Sequence, residues 1–212
     1  MNTVAPDAEL NTRIAEIKQR FAAEDHVLTI QRDDGLYRHL VIEKPKSPGT
    51  RCEVVTWPGA LAITGYTGSH ILRRDDDMIA FFRTCMSSGI AWDADPRFWA
   101  EKVQPHGADS GLVLSYAGDR VVAHIKEAAA EAEADYPGLV AEVEEKLLSR
   151  YSTADLDTEG GVKAALDTFE FEGFRFDYGG WEFTEYTYWF LYTCQVIAWT
   201  VAQYDAALVP TG

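Results

Sequence analysis

The chain lacks most of the short motifs that announce a chemistry. It has no G-x-x-x-x-G-K-[ST] phosphate loop and no G-x-S-x-G turn to expose a serine nucleophile. Its three cysteines, Cys52, Cys85 and Cys194, stand far apart without a C-x-x-C spacing, which argues against a zinc knuckle or a disulfide framework. Its five histidines form no H-x-x-x-H or H-E-x-x-H pair, so neither a metal nor another cofactor is expected. The longest apolar run, near Trp189–Trp199, is broken by Tyr192, Thr193 and Gln195 and is too short and polar to span a bilayer. Met1–Ala8 has neither the basic nor the apolar region of a secretory signal, so a cytoplasmic protein is expected.

Basic residues are also scarce. Lys and Arg number 19 against 34 Asp and Glu, a net charge of −15 over 212 residues. The deficit is uneven, since residues 131–185 hold 15 acidic and 4 basic side chains, a net of −11. Such a segment repels phosphate backbones, which argues against direct nucleic-acid binding by that half. Glu142, Glu144, Glu145, Asp155, Asp157 and Glu159 crowd around one helix end and its loop. They read either as a solvated, solubilising surface or as a nucleic-acid mimic that meets a basic groove on a partner.

What is present points to a globular α+β protein. An apolar fraction of 47% and six Trp suffice for a core. Leu10, Ile14, Ile17 and Phe21 recur at helical spacing, with Asp7 as the expected cap. Val27–Arg32 alternates as a strand, Asp33-Asp34-Gly35 reads as a tight turn and Leu36–Glu43 as the returning strand. Arg51–Trp57, Leu61–Gly65 and Ser69–Arg73 complete an antiparallel meander of about five strands, with Pro58-Gly59 at one corner. Asp75-Asp76-Asp77 caps a helix over Met78–Met86, and Asp95-Pro96 opens a short one reaching Val103.

Pro105–Ser110 reads as a loop, and a weak boundary falls near 105–118. Residues 1–104 form the sheet-plus-helix core, and 105–212 a helical lobe integrated with it. Beyond the boundary Val121–Ala134, Leu139–Tyr151 and Gly161–Phe169 read as helices, and Glu170–Tyr178 as a strand or extended arm. Trp181–Asp205 reads as a long aromatic helix that buries Phe190 and Trp199 against the sheet.

Chemistry-bearing side chains concentrate at the first hairpin. Asp33, Asp34, Tyr37, Arg38 and His39 could perform acid–base work or hold a phosphate. The bland alternative is a turn, an ion pair and a half-buried histidine. Strand alternation sends Arg38 and His39 to opposite faces, against a single cluster. Trp57 and Tyr66, at turns, are candidate anchors for a partner or a base. Of the thiols, Cys85 alone is a candidate nucleophile; buried, reduced cysteines are the simpler expectation.

The stretches Arg32–Leu40 (R-D-D-G-L-Y-R-H-L), Thr56–Gly59 (T-W-P-G), Asp77-Met78 and Phe81–Arg83 (F-F-R) resemble an uncharacterised family of bacteriophage and prophage proteins. The helix around Tyr186–Trp199, ending in Gln203-Tyr204-Asp205, is similar too. The chain departs from the family at the glycine-rich turn, where Tyr66 stands in place of an acidic residue. The resemblance implies a phage or prophage origin and brings no activity. The expectation is therefore an accessory protein that binds and blocks a bacterial host protein. Such a partner could itself bind nucleic acid, as in an anti-phage defence system met by an anti-CRISPR-like inhibitor. The alternatives are a binder of a nucleotide or small signalling molecule through Arg38, His39 and Trp57, and a small hydrolase or nuclease.

Overall fold

The computed structural model describes residues 6–47, 49–87, 95–104, 111–149, 152 and 154–208, side chains excepted at Pro6, Asp7 and Ser87. The expected 105–110 loop, with His106, lies outside these residues. The strands are β1 (Val27–Asp34), β2 (Tyr37–Glu43), β3 (Cys52–Trp57), β4 (Ala60–Gly65), β5 (Gly68–Arg73), β6 (Val103–Gln104), β7 (Leu114–Tyr116) and β8 (Thr184–Tyr186). The helices are α1 (Pro6–Ala22), α2 (Met78–Ser87), α3 (Pro96–Ala100), α4 (Gly118–Ala132), α5 (Leu139–Val143), α6 (Glu159–Thr168) and α7 (Tyr188–Leu208). The chain is α+β and divides into two compact units, residues 1–114 with 186–212, and residues 115–185.

In the first unit β1 to β6 pair in sequence order as one antiparallel sheet. Strand alternation sends Leu40, Ile42, Val54, Ile63 and Leu72 to one face, where they join Ile17 and Phe21 of α1, Phe82 of α2 and Phe190 and Ile197 of α7. His39, Glu53, Val55, Trp57 and Ile71 take the other face. Helix α7 is apolar around most of its circumference, and that is why it lies inside this core.

The second unit has its own core, in which Val121 and Ile125 of α4 meet Leu139 and Val143 of α5 and Val162 and Leu166 of α6. Helix α5 widens into a π-helical segment, Glu144–Leu148, closed by the Ser149 N–H donating to the Glu144 carbonyl at 2.7 Å. Thr158 caps α6 by accepting the Gly161 N–H at 3.0 Å.

Several local expectations change. The first hairpin turns at Gly35-Leu36, because Asp34 still pairs with Tyr37; Asp33 and Asp34 are strand residues. Gly35 takes φ +60°, the left-handed conformation that the turn requires. The sheet gains a sixth strand, since Val103 pairs with Leu72 instead of extending α3. Helix α1 has already begun at Pro6, so Asp7 lies within it. Of the acidic triplet only Asp77 caps α2, accepting the N–H groups of Ile79 and Ala80 at 2.9 and 3.2 Å.

In the second half, the helix begun at Leu139 is α-helical only to Val143, and its π-helical continuation stops at Leu148. Residues 170–178 form neither strand nor arm. Glu172 (φ 48°) and Gly173 (φ 88°) reverse the chain, and Phe171 bridges Phe174. Helix α7 starts at Tyr188 rather than Trp181, because Thr184–Tyr186 is extended in β8. Phe190 is fully buried as expected, whereas Trp199 is half-buried and lies edge-on to Phe21.

Candidate functional site

Arg38 points to the helix-covered face. Its Nη1 and Nη2 donate to Oδ1 and Oδ2 of Asp77, both at 3.0 Å, and its Nε donates to the Tyr204 hydroxyl at 3.1 Å. The Tyr204 hydroxyl in turn donates to Asp33 at 2.9 Å. The guanidinium is mostly covered by protein and lies 5.5 Å from the Tyr204 ring centroid. Burial opposes its charge, but the bonds to Asp77 and Tyr204 prevail and hold its proton more firmly than usual. For Asp77 burial favours the neutral acid, yet Arg38 and the α2 N–H groups outweigh it and hold the carboxyl below its ordinary range. One network therefore joins β1, β2, α2 and α7. Each of its three nitrogens already donates one bond, which leaves Arg38 poorly suited to grip a phosphate.

His39 points to the opposite face and shares a 2.8 Å hydrogen bond with Glu53, which also accepts from Arg51 Nε at 2.8 Å. Asp34 pairs with Arg32 at 2.9 Å, and the Arg32 guanidinium lies 5.8 Å from the exposed Tyr37 ring. Trp57 is half-buried at the same end of the sheet.

Tyr66 is at the other end, since β4 runs its full length between the two turns, roughly 20 Å for six residues. There the Tyr66 hydroxyl donates to that of Tyr192 at 2.9 Å, and Tyr192 donates to Glu24 at 2.7 Å. Lys44 completes the group at 2.9 Å from Glu24. Burial pushes the Tyr66 phenol up to about 12, and burial again, with these hydrogen bonds, raises Tyr192 further. The sheet candidates thus fall into three groups: the Arg38 network, the outward face around His39, and the Tyr66 end.

In the second unit Glu142 pairs with Lys146, and Glu159 pairs with Lys163. Asp155 is used by its own loop, accepting the Asp157 N–H and the Thr158 hydroxyl at 3.0 Å each. Glu144, Glu145 and Asp157 are exposed and form no salt bridge among the described residues. A groove of about 500 Å³ runs past Lys146, Leu147, Asp155 and Gly161, and Asp155 is the one carboxylate among its described lining residues.

Sequence reasoning missed Tyr204, Glu24, Lys44 and Tyr192, whose partners are distant in the chain. It also missed a cleft of about 660 Å³ beside α2 and α3, lined by Phe81, Cys85, Phe98 and Trp99 among others. The helical spacing of Phe81 and Cys85 was its one local signal. Cys52 and Cys194 are buried thiols and Cys85 is partly exposed. Among the described residues no His, Cys, Asp or Glu group is arranged to hold a metal ion, and no helix is long and apolar enough to cross a membrane. No family model, curated protein or solved structure matches the chain.

Proposed function

We propose that the chain is a binding protein that blocks a partner by presenting the acidic surface of residues 115–185 to a basic groove. The observation that carries this reading is the exposed set Glu144, Glu145 and Asp157, which forms no salt bridge among the described residues of a unit with 17 acidic and 6 basic side chains. Unpaired surface carboxylates attract a cationic surface over about a Debye length, roughly 10 Å at 0.1 M salt. The resemblance to phage and prophage proteins makes a bacterial host component the expected partner, with defence systems that handle nucleic acid as the leading class. A nucleotide site at Arg38 has less support, because that side chain is spent on Asp77 and Tyr204.

The test is capture from a bacterial lysate by the immobilised protein, set against the Glu144→Lys/Glu145→Lys/Asp157→Lys variant. A specific partner should be retained at about 50 mM salt, weakened at about 200 mM and lost with the triple reversal. A partner that is held equally by both proteins at both salt concentrations refutes the acidic-surface reading.

A further inference from the structure

The cleft beside α2 and α3 lies outside that reading. Its volume of about 660 Å³ falls within the range of small-molecule sites. Its walls are aromatic and apolar: Ala80 and Phe81 come from α2, Phe98 and Trp99 from α3. The Phe81 and Phe98 rings lie 5.8 Å apart, tilted by 35°.

The polar lining is unbalanced. Among the described lining residues Asp75, Asp77 and Asp95 stand against one cation, Arg74, which is 3.7 Å from Asp75. Arg38 stands behind Asp77 and neutralises it. Nearby Lys102 lies 4.2 Å from the Phe98 ring centroid and is itself paired with Glu101 at 2.9 Å. Among the described lining residues these pairings leave one carboxylate, Asp95, in excess. Carboxylates beside aromatic faces are the surroundings that an organic ammonium selects, through charge and through the ring quadrupoles. A carboxylate or phosphate ligand would meet repulsion from the same lining.

We infer that this cleft binds a small organic amine, its apolar body against Phe81 and Phe98 and its ammonium toward Asp75 and Asp95. The site carries its own reporter. Cys85 lines the cleft, whereas the other two thiols are buried, so a maleimide should modify Cys85 first and an occupant should slow it.

The experiment follows maleimide addition to the full chain by intact-protein mass spectrometry near neutral pH. The probes are 2-naphthylmethylamine, 2-naphthylmethanol and 2-naphthoate, which share one ring system and differ in charge. The amine should slow Cys85 modification at least fivefold with saturation, the alcohol less, and the carboxylate not at all. Asp95→Asn keeps a side-chain acceptor for the Arg97 N–H that caps α3, so it should fold and yet lose most of the protection by the amine. The inference is overturned if no probe protects Cys85, if all three protect equally, or if Asp95→Asn leaves protection by the amine unchanged.

Discussion

Arg38 and Asp77 meet as two parallel N–H···O bonds of 3.0 Å, and the same Asp77 carboxylate caps α2. One side chain therefore sets both where α2 begins and how it seats on the sheet. Residues far apart in the chain converge here: Asp33 and Arg38 from the hairpin, Asp77 before Met78, and Tyr204. Arg83 of the F-F-R stretch likewise pairs with Asp205, its Nε donating at 2.7 Å. These residues hold α2 and α7 to the sheet, a structural role that any chemistry would have to share.

Removing the Asp77 carboxylate should destabilise the protein by two routes. Asp77→Ala loses the cap and strands a largely buried guanidinium, at a cost of about 2–4 kcal/mol. Asp77→Asn keeps an acceptor for the α2 N–H groups and should cost about 1–2 kcal/mol. Urea unfolding of both variants measures the difference, and equal costs would assign the whole effect to the lost pairing with Arg38 rather than to the cap.

The same carboxyl makes stability acid-sensitive. Burial raises its proton affinity, but Arg38 and the α2 N–H groups overcome that, so its folded value lies below the ordinary 3.8. Its stabilisation is thus complete above about pH 4 and fades as pH falls through the lower folded value. Between pH 4 and 2 the unfolding free energy of Asp77→Asn should fall less steeply than that of the native chain.

His70 has the opposite charge logic with the same direction. Burial alone pushes its ring below the ordinary 6.5, and the ring lies edge-on to Phe190 with Nδ1 unpaired. The unfolded chain takes up this proton first, so stability is complete above about pH 6.5 and is lost as pH falls toward the folded value. Denaturation curves at pH 7.5 and 5.5 should converge in His70→Leu relative to the native chain. An unchanged gap would mean that His70 stays neutral at no cost.

Two turn glycines should respond very differently. At Gly65 (φ +147°) a Cβ would sit 2.3 Å from the Arg51 carbonyl oxygen and 2.7 Å from the Cys52 Cα, both backbone atoms. Gly65→Ala should cost about 3 kcal/mol or more. Gly35 (φ +60°) faces open space, and Gly35→Asn should stay within about 1 kcal/mol because Asn tolerates this conformation. Thermal melts of the two variants check the contrast.

The sequence by itself determined the fold class, the turn at Gly35 and the assignment of Arg38 and His39 to opposite faces. Those features follow from spacing over a few residues, because a strand alternates its side chains and a glycine permits positive φ. The concentration of acid in the second half is equally a property of the sequence. Only the tertiary structure decided what Arg38 does, since its partners Asp77 and Tyr204 stand 39 and 166 positions away and meet it once α2 and α7 pack on the sheet. The same holds for Val103, whose helical expectation lost to pairing with Leu72. An unpaired backbone at the edge of β5 gains more from a partner strand than a short helix gains from one further turn.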